Sequence, residues 1–157
     1  MPRFQLAQIN IARAIAPLDD PRMAEFVARL DAVNALAEAS PGFVWRLKDE
    51  SGNATSLQVF DDPLVIVNMS VWESIEALEG YVYRSLHTQV LRARRQWFEL
   101  PSSAHLALWW VPAGHVPAIA EGKARLAHID RHGPTPEAFT FRTRFPAEAE
   151  SARCSEA

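Results

Sequence analysis

Cysteine is almost missing from the 157-residue chain. The one present, Cys154, sits in a polar tail, so neither an internal disulfide nor a cysteine metal centre can be built. Long hydrophobic runs are missing as well: no stretch approaches the ~20 apolar residues that span a bilayer, and no apolar segment follows a basic cluster at the N-terminus, as a cleaved leader requires. There is no glycine-rich phosphate loop, no Gly-x-Ser-x-Gly elbow and no His-Glu-x-x-His spacing, which removes the usual signatures of nucleotide binding, serine hydrolysis and zinc hydrolysis. An excess of positive charge is lacking too. The 16 Lys and Arg face 19 Asp and Glu, a net charge of −3, the opposite of a nucleic-acid footprint. These absences predict a cytoplasmic protein with no nucleic-acid or membrane partner. What is present is globular: 48% hydrophobic and 22% charged residues suffice for one core at this length.

Alternation marks the strands. In residues 3–11, Phe4, Leu6, Gln8 and Asn10 fall on one face and Gln5, Ala7, Ile9 and Ile11 on the other. After a break at Ala16-Pro17, Asp20 is placed to cap a helix with Pro21 in its first position. Met23, Phe26, Val27, Leu30, Val33 and Ala37 then recur at helical spacing until Ser40-Pro41-Gly42 stops the helix. Residues 42–47 read as a second strand, and 57–60 equally as strand or loop. The clearest strand is 64–72, with Val65, Val67, Met69 and Val71 on a wholly apolar face and Ile66, Asn68, Ser70 and Trp72 on a mixed one. The apolar face is the one expected beneath helices, with the mixed face turned toward something less oily. Ser74 caps a second helix carrying Ile75, Leu78, Val82 and Leu86 and continuing to Trp97-Phe98. Residues 104–111 form a fourth strand, and 117–132 a C-terminal helix with Ile119, Leu126 and Ile129. Phe139, Phe141 and Phe145 alternate in a tail, and 146–157 are expected to be disordered.

The order β-α-β-β-α-β plus a C-terminal helix predicts an α+β, ferredoxin-like domain over residues 1–145 with an antiparallel four-stranded sheet. Four strands cannot close a barrel, so a homodimer joined through the open sheet faces is expected.

The candidates for chemistry are the polar and aromatic residues that packing does not explain. His87 lies on the second helix, with an ordinary pKa near ~6.5 that suits proton transfer; a helix histidine packed or bonded to backbone fits as well. Tyr83 shares its face, four residues earlier. Asn10, Asn68 and Ser70 are polar at strand positions and need partners if buried, because each unsatisfied group costs ~1–3 kcal/mol. Trp72 and one of the adjacent pair Trp109 and Trp110, which must face opposite sides of a strand, would wall a site for a flat apolar ligand or line an interface. Residues 80–98 carry Arg84, Arg92, Arg94 and Arg95 and no acid, which fits either compensation of a helix dipole or an anionic ligand. Five histidines without metal-site spacing leave a metal unmotivated.

The segment Asn68-Met-Ser-Val-Trp-Glu-Ser74 is followed by Tyr81-Val-Tyr-Arg-Ser-Leu-His87. With Pro41-Gly-Phe-Val-Trp-Arg-Leu47, Leu108-Trp-Trp-Val-Pro-Ala-Gly-His115 and His132-Gly-Pro-Thr-Pro-Glu-Ala-Phe139, it resembles the dimeric α+β barrel superfamily. That group includes antibiotic-biosynthesis monooxygenases and haem-degrading relatives, and the resemblance is closest to an uncharacterised member family, a domain of unknown function. It implies a small-molecule-binding, cofactor-independent monooxygenase-like activity on an aromatic or polyketide-like compound, with His87 and Asn10 catalytic and Asn68, Ser70, Trp72, Tyr83 and Trp109 binding substrate. The alternative is a non-catalytic ligand-binding or scaffold protein. A haem-binding role is the lesser one: His87 stands about one turn before the axial histidine of haem-degrading members, and Tyr81 replaces their tryptophan. No cofactor is therefore expected.

Overall fold

The computed structural model describes residues 4–48, 60, 62–85, 94–99 and 104–147. His87, Arg92, Cys154, most of residues 57–60 and most of the expected disordered tail lie outside the described residues. The elements run β1 (Phe4–Arg13), a 3₁₀ turn (Pro21–Met23), α1 (Ala24–Glu38), β2 (Phe43–Arg46), β3 (Val65–Trp72), α2 (Ile75–Ser85), a short α3 (Arg94–Trp97), β4 (Leu106–Pro112) and α4 (Ile119–His132).

Local chemistry fixes the element ends where the sequence places them. Asp20 is extended and its carboxylate accepts from the Arg22 backbone N–H at 2.9 Å, with Pro21 opening the turn that leads into α1. Ser74 Oγ accepts from the Ala77 N–H at 3.1 Å and starts α2. Gly42, at φ +83°, turns the chain into β2; a Cβ there would also lie 2.5 Å from Ala77 Cβ on α2, so both backbone and packing demand glycine.

The four strands form one antiparallel sheet in the order β2-β3-β1-β4, which is the ferredoxin-like arrangement expected. A bulge between Phe43 and Trp45 keeps Phe43 opposite Trp72 while Trp45 pairs with Val71. At the β4 edge, Leu108 and Phe139 exchange two backbone bonds of 2.8 Å. The tail thus caps an edge that would otherwise invite pairing, and Phe139 is fully buried.

The apolar face does lie beneath a helix, as expected, but the covering helix is α4, while α1 and α2 lie on the mixed face. The wholly apolar face, with Ala7, Ile9, Val67, Met69, Val71 and Trp109, packs against α4 through Leu126, Ile119 and Ile129. Helices α1 and α2 lie on the mixed face, where Ala37, Ile75 and Leu78 meet Leu6, Trp72 and Leu108. A third cluster, Met23, Phe26, Trp97, Ala14 and Ala16, closes the end of α1. The physical reason is that α4 supplies its own apolar stripe and a point of close approach. Gly122 sits where a Cβ would fall 2.8 Å from Ile9 Cδ1 and 3.0 Å from Met69 Sδ. The face expected to stay open for a partner is thus covered within the chain, with Ala7, Ile9, Val71 and Trp109 at 0% exposure. A homodimer through open sheet faces loses that premise.

Candidate functional site

The pleat and register of β1 and β3 bring together polar side chains far apart in sequence. Gln8 lies opposite Ser70, Asn10 opposite Asn68, and Leu6 opposite Trp72, all on the face under α1 and α2. Gln8 Nε2 donates to Asn68 Oδ1 at 2.6 Å and to Ser70 Oγ at 2.7 Å. Asn10 Nδ2 donates to Gln8 Oε1 at 3.0 Å and to Asn68 Oδ1 at 3.3 Å. Trp72 Nε1 donates to Ser70 Oγ at 2.8 Å. Gln8 and Ser70 are buried, at 3% and 5% exposure, whereas Asn10 is half-buried and Asn68 exposed. The network therefore has a dry inner end and a wet outer one.

Aromatic rings wall the inner end. Trp72 stacks on Tyr81 with centroids 5.2 Å apart and meets Phe43 edge-on at 5.5 Å. Burial pushes the Tyr81 phenol above its usual pKa, and the positive charge of Arg46 pulls the other way. Arg46 pairs with Ser70 across β2 and β3, is largely buried, and stands 3.7 Å from Glu38. Near the outer end, Leu106 is the cross-strand partner of Asn10. It lines an open, mainly apolar groove of about 310 Å³ together with Ala104, His105, Ile129, Thr140, Phe141 and Arg142.

Of the residues singled out from sequence, Asn10, Asn68, Ser70 and Trp72 meet in this network. Trp109 does not. It faces the opposite side of the sheet, where its Nε1 donates to Glu121 Oε2 at 2.8 Å and the Arg125 guanidinium lies 5.8 Å from its ring. Trp110 is the member of the pair on the network's face, with its indole donating to the Phe145 carbonyl at 2.8 Å. Tyr83 is 67% exposed and outside the network. Sequence reasoning missed Gln8, the hub of the network; its signal was the placing of Gln8 and Asn10 on one face, with Asn68 and Ser70 at matching spacing on a second strand. Among the described residues no group of three or more His, Cys, Asp or Glu is arranged to hold a metal ion, and no helix is long and apolar enough to cross a membrane.

A family model described as domain of unknown function (DUF3291) matches residues 5–155. No curated protein matches the sequence. Similar solved structures include a protein of unknown function from Nitrosomonas europaea, at 16% identity and TM-score 0.44 over 74% of this chain and 97% of that one. A protein from Pseudomonas aeruginosa is similar at 15% identity and TM-score 0.45, over 71% and 95%. SnoaB, a cofactor-independent oxygenase from Streptomyces nogalater, is similar at 18% identity and TM-score 0.43, over 71% and 95%.

Proposed function

The chain belongs to this family of unknown function, DUF3291, and on that premise we propose that it binds a small apolar or aromatic molecule against the Gln8–Asn10–Asn68–Ser70 network. The observation that carries the reading is the network itself. Four polar side chains occupy sheet positions that apolar residues would fill at no hydrogen-bonding cost, and they run from a buried hub to an exposed amide. A buried polar cluster of this kind adds little net stability compared with apolar packing; a ligand gives it a use. Trp72, buried and stacked on Tyr81, closes the inner end of the network, and the groove at Leu106 offers apolar surface beside Asn10.

The reaction class is a cofactor-independent, monooxygenase-like oxygenation of an aromatic or polyketide-like compound. A reduced ring loses a proton, its carbanion passes one electron to dioxygen, and the resulting radical and superoxide join as a hydroperoxide that loses water to leave a ketone. Asn68, oriented by Asn10, donates to the ring oxygen on which negative charge gathers. His87 is the proposed proton acceptor and Tyr83 a contact at the helix surface. A non-catalytic binder is the second reading, favoured by one feature: the network is built of amides, a hydroxyl and an indole, none of which takes up a proton at neutral pH. The protein is proposed to act in the cytoplasm as a homodimer, joined elsewhere than through the face that α4 covers, and light scattering would then report twice 17.6 kDa.

Calorimetry with 1-naphthol tests the site: binding that Asn68→Ala abolishes supports it, and unchanged binding in that variant refutes it. Oxygen uptake with a panel of quinols separates the readings. Consumption above autoxidation that disappears in Asn68→Ala indicates catalysis, and binding without uptake selects the non-catalytic reading.

A further inference from the structure

The hydrogen-bond network has two equivalent directions. As it stands, Ser70 Oγ accepts from Trp72 Nε1 at 2.8 Å and from Gln8 Nε2 at 2.7 Å. A hydroxyl oxygen has two lone pairs, so both are used, and the Ser70 hydrogen has no acceptor among the described residues. Asn68 Oδ1 takes two N–H groups from inside the network, which leaves its Nδ2 to donate outward. Both Asn10 N–H groups are spent inward, which leaves its Oδ1 to accept.

A half-turn of all three amides preserves every one of these distances, because the two ends of a carboxamide have nearly the same size. Ser70 then donates to Gln8 Oε1, Asn68 Nδ2 donates to Gln8 Oε1 and Asn10 Oδ1, and Gln8 Nε2 donates to Asn10 Oδ1. Trp72 still donates to Ser70. The first arrangement strands the Ser70 hydroxyl hydrogen, and the second strands one N–H of Gln8. Both residues are more than nine-tenths buried, so each arrangement leaves one buried hydrogen unmatched and neither has a clear advantage.

We propose that the Gln8–Asn10–Asn68–Ser70 network reverses its donor direction to suit the ligand, so that Asn68 receives either a carbonyl oxygen or a hydroxyl group at the same place. In the first direction Asn68 donates to a carbonyl; in the second its oxygen accepts from a hydroxyl. The ligand class is an apolar ring compound bearing one oxygen that exists as hydroxyl or ketone, such as the two ends of an oxidation. This rests on the proposal that the network is a small-molecule site, and adds that the site holds both forms with similar strength.

The test uses two probes of similar skeleton, 1-naphthol as hydroxyl donor and 1-tetralone as carbonyl acceptor, titrated anaerobically into the full chain by calorimetry so that neither is oxidised. The wild type is expected to bind both within about tenfold of each other. In Asn10→Asp the carboxylate only accepts, which forces Gln8 Nε2 toward it and fixes the second direction. That variant is expected to keep 1-naphthol and to weaken 1-tetralone by about tenfold or more. Asn10→Leu imposes no direction and should leave the ratio of the two affinities as in the wild type; far-UV circular dichroism checks that both variants fold. In ¹⁵N-labelled wild type the two probes should move the Asn68 side-chain amide signals in opposite directions. Binding of only one probe by the wild type, or equal weakening of both in Asn10→Asp, overturns the reversal while the ligand site stands. Failure of both probes to bind, with the Asn68 signals unmoved, overturns the reversal and the ligand site together.

Discussion

The Trp109 indole and the Glu121 carboxylate join β4 to the first turn of α4 through a 2.8 Å hydrogen bond, and the other Glu121 oxygen meets His115 Nε2 at 2.8 Å. One carboxylate thus ties together the sheet, the turn after β4 and the helix that covers the apolar face. Burial raises the Glu121 pKa, but the hydrogen bonds from His115 and Trp109, with the charges of His115 and Arg125, outweigh it and hold the group below the usual carboxylate value.

Removal of that tie should be visible in stability. Glu121→Leu is expected to cost about 2 kcal/mol, the range for a hydrogen-bonded charged group that leaves a buried donor behind, read as a lower urea midpoint with an unchanged slope.

The pH dependence has a definite sign. A carboxyl group whose folded pKa is depressed contributes stability that is present above its unfolded value, 4.5 for a glutamate, and that is lost as pH falls through the folded pKa. The urea midpoint of the wild type should therefore drop below pH 4.5 more steeply than that of Glu121→Gln. Parallel profiles would show that Glu121 titrates as it does in the unfolded chain.

Two helical glycines should respond to alanine with opposite signs. Alanine gains about 1 kcal/mol of helix propensity over glycine. At Gly80 the nearest atom to an added Cβ is Arg84 Nη1, at 3.5 Å, so Gly80→Ala should raise stability by up to about 1 kcal/mol. At Gly122 the same methyl meets Ile9 and Met69 of a packed core, and overpacking costs about 1–3 kcal/mol. Gly122→Ala should lower the melting temperature despite the gain in propensity.

The network residues should be energetically coupled. Gln8→Leu and Ser70→Ala are each expected to destabilise by about 1–3 kcal/mol through unmatched buried partners. Their double-mutant cycle should show a coupling of about 1 kcal/mol, whereas additive losses would mean that the 2.7 Å contact contributes nothing.

Haemin titration followed at the Soret band should give no one-to-one endpoint. Tyr81 already stacks on Trp72 and fills space that a large planar ring would need. A sharp stoichiometric endpoint lost in His87→Ala would reverse this expectation.

Local and short-range features of this protein are determined by sequence alone. Strand alternation, the Asp20 and Ser74 caps, the break at Gly42 and the β-α-β-β-α-β order each depend on neighbouring residues, and together they define the ferredoxin-like sheet. The polar positions Asn10, Asn68 and Ser70 were legible for the same reason. What covers each face was decided only by tertiary structure. An apolar strand face shows that it is buried but not by which helix, and α4 reached it because Gly122 allows close contact with Ile9 and Met69. That choice sent Trp109 to Glu121 and left the mixed face to α1 and α2. The role of Gln8 was equally hidden, since a single strand does not reveal its register, and only the pairing of Gln8 with Ser70 across 62 residues makes it the hub.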